Sequence, residues 1–195
     1  MSASDRNTLR DALFTAHDMA RDVEPSSLGM VGYGVIEHRS ESGLLIAAVP
    51  FANTITDTGD LYYAGKGIAA IPPASPAAPT ALTGMQIGSG GATAVNKAAT
   101  TGVALVSAIL AGQAFDATFP STSNLGVNLG VNMVYKTTYA AGTGTGTVSE
   151  ATITNGTIGT ASVAGNTISR VTFTGIVKGA ADSLAITWNH KNLGT

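Results

Sequence analysis

No cysteine occurs in the 195-residue chain. That excludes a disulfide framework and any thiolate metal site. Charge is nearly as scarce. Charged side chains make up 11% of the residues, against about 25% in an ordinary globular domain. Lysine and arginine form no cluster, so nucleic acid is not expected as a partner. The longest apolar stretch, Val103–Ala111, is far shorter than the about 20 residues of a membrane-spanning helix, and no membrane partner is expected. Asp5, Arg6, Arg10 and Asp11 stand where a signal peptide would have its apolar core. The expectation is a protein made in the cytoplasm without a secretion signal. Asn155-Gly156-Thr157 then matches a glycosylation acceptor only by chance.

What the chain does have favours strands. It is 44% apolar and carries 26 threonines and 24 glycines. Threonine with valine and isoleucine suits a pleated surface, and glycine marks turns. The few charges are unevenly spread. Residues 1–60 hold nine acidic and four basic side chains; residues 61–195 hold three and six. Charge keeps monomers apart, so a surface this poor in it suits a subunit covered by copies of itself or by partners. A homo-oligomer is expected, with a trimer as the favoured form.

Residues 7–24 place Leu9, Leu13, Ala16, Ala20 and Val23 at helical spacing, with Phe14 beside the stripe and Pro25 closing it. This predicts an amphipathic helix. From Met30 the period changes. MVGYGVIEH and GLLIAAV flank Arg39-Ser40-Glu41-Ser42 as a hairpin, and LYYAGKGIAAI, 61–71, reads as a further short strand. Four prolines in IPPASPAAPT, 71–80, mark an extended connector. ALTGMQIGSGG reads as strand then turn, and residues 98–112 as a short helix or a buried strand, with helix favoured by length and alanine.

From Val127 to Tyr139 apolar and polar residues alternate, as in a half-buried strand. The glycine-threonine run Gly142–Gly146 raises the question of a phosphate cradle. No lysine follows it before Lys178, the dinucleotide glycine spacing fails, and the next residues are β-branched, so a hairpin loop is expected with Thr147–Thr154 as the returning strand. TISRVTFTGIV should bury Val171, Phe173 and Val177; LAITWNH should bury Leu184, Ile186 and Trp188. These strands read as a four-stranded meander that needs a second sheet over its apolar face. The fold class is mainly β: an antiparallel β-sandwich or jelly-roll-like domain with an N-terminal amphipathic helix and extended arm. The expected divisions are 1–71 as helix and hairpin arm, 72–80 as connector, and 81–195 as the β domain.

Asp57-Thr58-Gly59 after an apolar strand carries the aspartic-protease pattern. That chemistry needs two aspartates sharing a proton, so one copy would require a homodimer; ordinary turn chemistry explains Asp57–Asp60 equally well. His17, His38 and His190 show no metal-ligand spacing and are expected at a surface or interface. Gly88-Ser89-Gly90-Gly91 reads as a turn. No catalytic residue, cofactor or metal is expected.

The stretch VNMVYKTTYAAGTGTGTVSEATITNG, with NTISRVTFTGIVKGAADSLAITWNH after it, resembles small β-rich virion proteins of tailed bacteriophages, notably short-tailed ones. Met85–Ala94, MQIGSGGATA, is similar to a turn in the same proteins. The likeness spans residues 82–192 and rests on turns and strands. It implies a virion structural protein, either a head decoration (cement) protein on the capsid exterior, with the major capsid protein as partner, or a fibre or adhesin-type component. Neither repeats nor heptads appear, as a fibre would usually show. A compact β domain with an arm and a connector suits a capsid clamp, in which many copies sum small contacts. A protease acting through Asp57 is the remote alternative.

Overall fold

The computed structural model describes residues 2–19, 30–68, 80–92, 95, 97, 109–124, 130–159 and 166–192. Helix α1 (Ala3–Met19) leads into strands β1 (Met30–Arg39) and β2 (Leu45–Ile55), then helix α2 (Asp57–Ile68). Seven strands follow: β3 (Gly84–Gly88), β4 (Ile109–Ala114), β5 (Ser121–Asn124), β6 (Val131–Tyr139), β7 (Gly146–Thr154), β8 (Thr167–Lys178) and β9 (Ser183–Asn192). All nine strands form one antiparallel sheet in the order β4-β3-β7-β8-β2-β1-β9-β6-β5. The sheet curls so that its two halves share one core. Ile36, Phe51, Tyr135, Leu184, Ile186 and Trp188 come from one half; Met85, Ile87, Val148, Ile153 and Val171 come from the other. The expected mainly β, sandwich-like class with an N-terminal helix is what the chain adopts.

The halves are joined at one place. The end of β2 leaves β1 and pairs with β8 through Thr54↔Arg170 and Ile55↔Ser169 alone. Around the rest of β2, β1 pairs over eight positions, from Gly32↔Asn53 to Arg39↔Leu45. Two glycines make this centre possible. A Cβ on Gly34 would lie 2.5 Å from the Phe51 ring, and one on Gly32 would overlap the Asn53 side chain. The vacated space holds the edge-to-face pair Phe51–Trp188, with centroids 5.0 Å apart.

The strand pairing departs from the expected meander. The loop 140–145 does not close a hairpin, because β6 pairs with β9 and β5, while β7 pairs with β3 and β8. The loop 179–182 likewise joins strands of opposite halves. Both loops cross at the same end of the molecule and are tied together there. Gly142 N donates to Ala180 O at 2.7 Å, and Lys178 Nζ donates to Ala140 O at 3.1 Å and Asp182 O at 2.7 Å. The glycines of the loop serve its shape. Gly142, Gly144 and Gly146 all have positive φ, and a Cβ on Gly144 would press on Ile87.

Several local expectations shift. α1 begins at Ala3, where Ser2 and Asp5 cap each other (Asp5 N to Ser2 Oγ 3.0 Å, Ser2 Oγ to Asp5 Oδ1 2.8 Å). Its buried face is Ala12 and Ala16, packed with Leu9 on Tyr33 and Val35 of β1. Leu13 and Phe14 of the expected stripe stay exposed. Small residues let the helix lie close to the sheet, and Arg39 holds Asp5 at 3.4 Å. Residues 61–68 are helical rather than strand. Thr56 accepts the Gly59 amide at 3.0 Å as the N-cap of α2, Asp57 and Asp60 fill the first turn, and Lys66 the last. Residues 109–112 are strand, not helix. In β8, Val171 is buried and Phe173 packs on the core, but Val177 is 71% exposed and Ile176 is buried instead. The cause is a bulge: between Val148↔Ile176 and Glu150↔Thr172 the two strands advance by unequal numbers of residues. In β6 the expected alternation holds for Tyr135, Thr137 and Tyr139, whereas Val131 is exposed and Asn132 buried. Leu184, Ile186 and Trp188 are buried as expected. Residues 20–25, 71–79, 98–108 and 127–129 of the expected elements lie outside the described residues.

The expected division between residues 1–71 and 81–195 is not how the strands are arranged. β1 lies between β2 and β9, pairing with β9 over ten positions from Met30↔Asn192 to Arg39↔Ser183. A chain starting at Ala81 would therefore expose one full edge of β9 and uncover Trp188. We expect it to be unfolded by circular dichroism, with no cooperative urea transition; a sigmoidal transition matching the full chain would show that 81–195 folds alone.

Candidate functional site

Asp57-Thr58-Gly59 is the start of a helix. The Thr56 hydroxyl accepts from Gly59 N and donates to Thr167 O at 2.6 Å, which anchors α2 to β8. Gly59 sits so close to β8 that a Cβ would lie 2.3 Å from Ile168 O. Asp57 points outward, and Asp60 pairs with Lys97 at 3.1 Å. The three residues are thus explained by capping and close packing. Among the described residues no group of three or more His, Asp or Glu could hold a metal ion.

The histidines differ from the expected surface or interface placement. His17 is the one that reaches solvent; its ring meets Tyr33 edge-on at 5.3 Å. His38 is buried and holds Asp182 at 2.9 Å. That contact, then the Gly179 amide, keeps the Asp182 carboxyl below its usual range. His190 is fully buried, and burial pushes its imidazole down to about 3.

His190 belongs to a chain of buried polar groups. Trp188 Nε1 donates to Asn53 Oδ1 at 2.6 Å, and Asn53 Nδ2 donates to Ser169 Oγ. Ser169 Oγ lies 3.3 Å from His190 Nε2 and 3.2 Å from Thr54 O. Tyr63 OH lies 2.6 Å from His190 Nδ1 and 2.9 Å from Tyr135 OH. Two proton arrangements run along this chain: Tyr135 donates to Tyr63, Tyr63 to Nδ1, Nε2–H to Ser169 and Ser169 to the Thr54 carbonyl, or Ser169 donates to Nε2, Nδ1–H to Tyr63, Tyr63 to Tyr135 and Tyr135 to Met133 Sδ at 3.8 Å. A serine nucleophile needs the imidazole to accept its proton. Here both residues are fully buried. Burial also raises both phenols, Tyr135 to about 12, so they remain donors. The outer end of the chain forms the floor of a cleft of about 380 Å³ lined by Tyr62, Tyr63, Lys66, Leu82, Met133 and Tyr135.

A second buried polar cluster was not legible from motifs. Glu150 of β7 and Arg170 of β8 are fully buried and paired at 2.6 Å. Gly90 N donates to the other Glu150 oxygen, Oε1, at 2.7 Å. A Cβ on Gly90 would lie 2.4 Å from that oxygen, which explains the glycines of the 88–91 turn. Opposite charges in neighbouring strands with only one further charge, Lys178, were the available signal. With Lys178 also buried, the charge-poor second part of the chain places three of its nine charges inside.

The outer surface is correspondingly short of charge and carries isolated large apolar side chains. Phe14 on α1, Leu44 and Ile46 beside the β1–β2 turn, and Leu61 on α2 are each more than half exposed. Arg10, Leu13, Phe14, His17 and Tyr33 line a shallow groove of about 250 Å³ along α1. No helix among the described residues is long and apolar enough to cross a membrane.

Removing one partner of a buried ion pair costs about 3–5 kcal/mol. Arg170→Met should lose that much in urea unfolding, and Glu150→Leu combined with Arg170→Met should recover part of it. Equal losses in the single and double variants would mean that the pair itself contributes little. His190 supplies a pH test. Its pKa is lowered in the fold, so the stability it contributes is present above about 6.5, the unfolded value, and is lost as pH falls toward about 3. Between pH 6.5 and 4.5 the unfolding free energy should fall by up to about 1.4 kcal/mol per pH unit, and His190→Gln should flatten that slope. An unchanged slope in the variant would assign the effect to another group.

No family model, curated protein or solved structure matches the chain.

Proposed function

We propose that the chain is a structural component of a tailed-bacteriophage particle, a decoration protein that clamps major capsid subunits from outside. The observation that carries this reading is where the charge lies. Arg170, Glu150 and Lys178 are buried and the His38–Asp182 pair is nearly so. Beyond α1, the described surface carries few charges among its threonine, serine and scattered large apolar side chains, which suits contact with other subunits. The turn–strand pattern of residues 82–192 supports the same class. In such a role each copy contributes a modest contact, and repetition over a lattice supplies the strength.

A second reading is a fibre or adhesin-type component. The tyrosine-lined cleft favours it, because aromatic walls around a few polar groups are how small ligands are held. Electron microscopy of particles from the phage that encodes the chain, labelled with antibody against it, separates the two. Label spread over the head supports the decoration protein. Label confined to the tail or its fibres supports the adhesin, and particles without label overturn both.

A further inference from the structure

The outward face of α1 has a charge order that inverts when it is read from the other end. Arg10-Asp11 and His17-Asp18 lie at equal distances on either side of Phe14. At 3.6 residues per turn, Phe14 lies on the side of the helix opposite Ala12 and Ala16, the residues that pack on the sheet. It is 63% exposed although it is a phenylalanine. The side chains of Arg10, Asp11 and Asp18 are 64%, 69% and 72% exposed.

We propose that this face binds the same face of a second copy, with the two helices antiparallel and the two-fold axis passing through Phe14. In that register the residue at position 10 meets position 18 of the other copy, and position 11 meets position 17. Arg10 then faces an aspartate, Asp11 faces a histidine, and Phe14 packs on its own counterpart. Arg10 with Asp18 joins opposite signs, Asp11 with His17 joins an acceptor to an imidazole donor, and each contact occurs twice. A parallel alignment would instead set Arg10 against Arg10 and Asp18 against Asp18. Arg10–Asp11 at 3.5 Å and His17–Asp18 at 3.8 Å are exposed pairs between sequence neighbours, which contribute little and exchange readily.

The contact is isologous, so it builds pairs and not the threefold ring expected from composition. A helix of 17 residues is about 26 Å long, and one such pair buries less than the roughly 1,000 Å² of a stable isolated interface. The association is therefore weak in dilute solution and strengthens where copies are held near one another. It does not depend on the capsid reading: a protein of any role would carry it.

The absence of native cysteine permits a direct test on the full chain. Phe14→Cys puts two sulfurs on the axis, while Thr8→Cys puts them on an exposed flank of the same helix. Under mild oxidation at equal concentration, Phe14→Cys should form disulfide-linked dimer about tenfold faster or more. Adding Asp18→Arg should slow it about two- to tenfold, and adding Arg10→Asp to that double variant should restore the rate. Sedimentation equilibrium of the unmodified chain should show a monomer–dimer equilibrium that Phe14→Asp abolishes. Equal cross-linking of Phe14→Cys and Thr8→Cys overturns the proposal. Failure of the charge exchange to restore the rate overturns the antiparallel register, and with it the two-fold contact as stated.

Discussion

The fold depends on how two half-sheets are held at a seam of two residue pairs. Thr54↔Arg170 and Ile55↔Ser169 are too few to fix one half against the other through backbone alone. The side chains at the seam supply the rest. Asn53 receives the Trp188 indole and donates to Ser169; Thr56 donates to Thr167 O; Arg170 is held by Glu150 from the neighbouring strand. Each net contribution is modest, but each group left unpaired in this buried place would cost more than its bond supplies. The seam is thus a requirement for one geometry rather than a large source of stability. That explains why polar residues occupy the centre of a β protein whose surface has so few charges.

The same requirement accounts for features that first read as chemistry. Asp57-Thr58-Gly59 resembles a protease loop, yet its threonine neighbour caps α2 and its glycine admits the Ile168 carbonyl. Ser169 and His190 form a serine–histidine pair at 3.3 Å, fully buried between Tyr63 on one side and the Thr54 carbonyl on the other. The glycine-threonine run is a corner that three positive φ values make possible. In each case the residues have partners within the fold that account for their position.

The parts of the fold that the sequence made legible are those governed by local pattern. The β1–β2 hairpin follows from its turn residues, and the burial of Leu184, Ile186 and Trp188 from strict alternation. Strand partnership was not legible. Loops 140–145 and 179–182 have lengths that normally close hairpins, and here they span between half-sheets. Nothing local distinguishes the two uses. α2 was hidden by its β-prone tyrosines and its glycines, although Thr56, the two acidic residues of the first turn and Lys66 in the last were a helix signature. Glu150 and Arg170 were overlooked because β7 was expected to be half-buried. Thr152 and Thr154 are as buried as Ala151 and Ile153, so both faces of β7 are covered, and its glutamate needed a buried partner.

The position of β1 also bears on how the chain is made. β1 can pair with β2 as soon as both have left the ribosome, since only the short 40–44 turn separates them. Its other partner, β9, is synthesised about 150 residues later, which at roughly 5–20 residues per second is a wait of about 10–30 seconds. During that interval the β9-facing edge of β1 and the surface that will hold Trp188 have no native cover. Open strand edges recruit other strands. The alternating glycines of β1, Gly32 and Gly34, leave that waiting edge with little apolar surface of its own on the inner face. The spacing that later admits Phe51 and Trp188 thus also makes the nascent strand a poor template for a neighbouring chain.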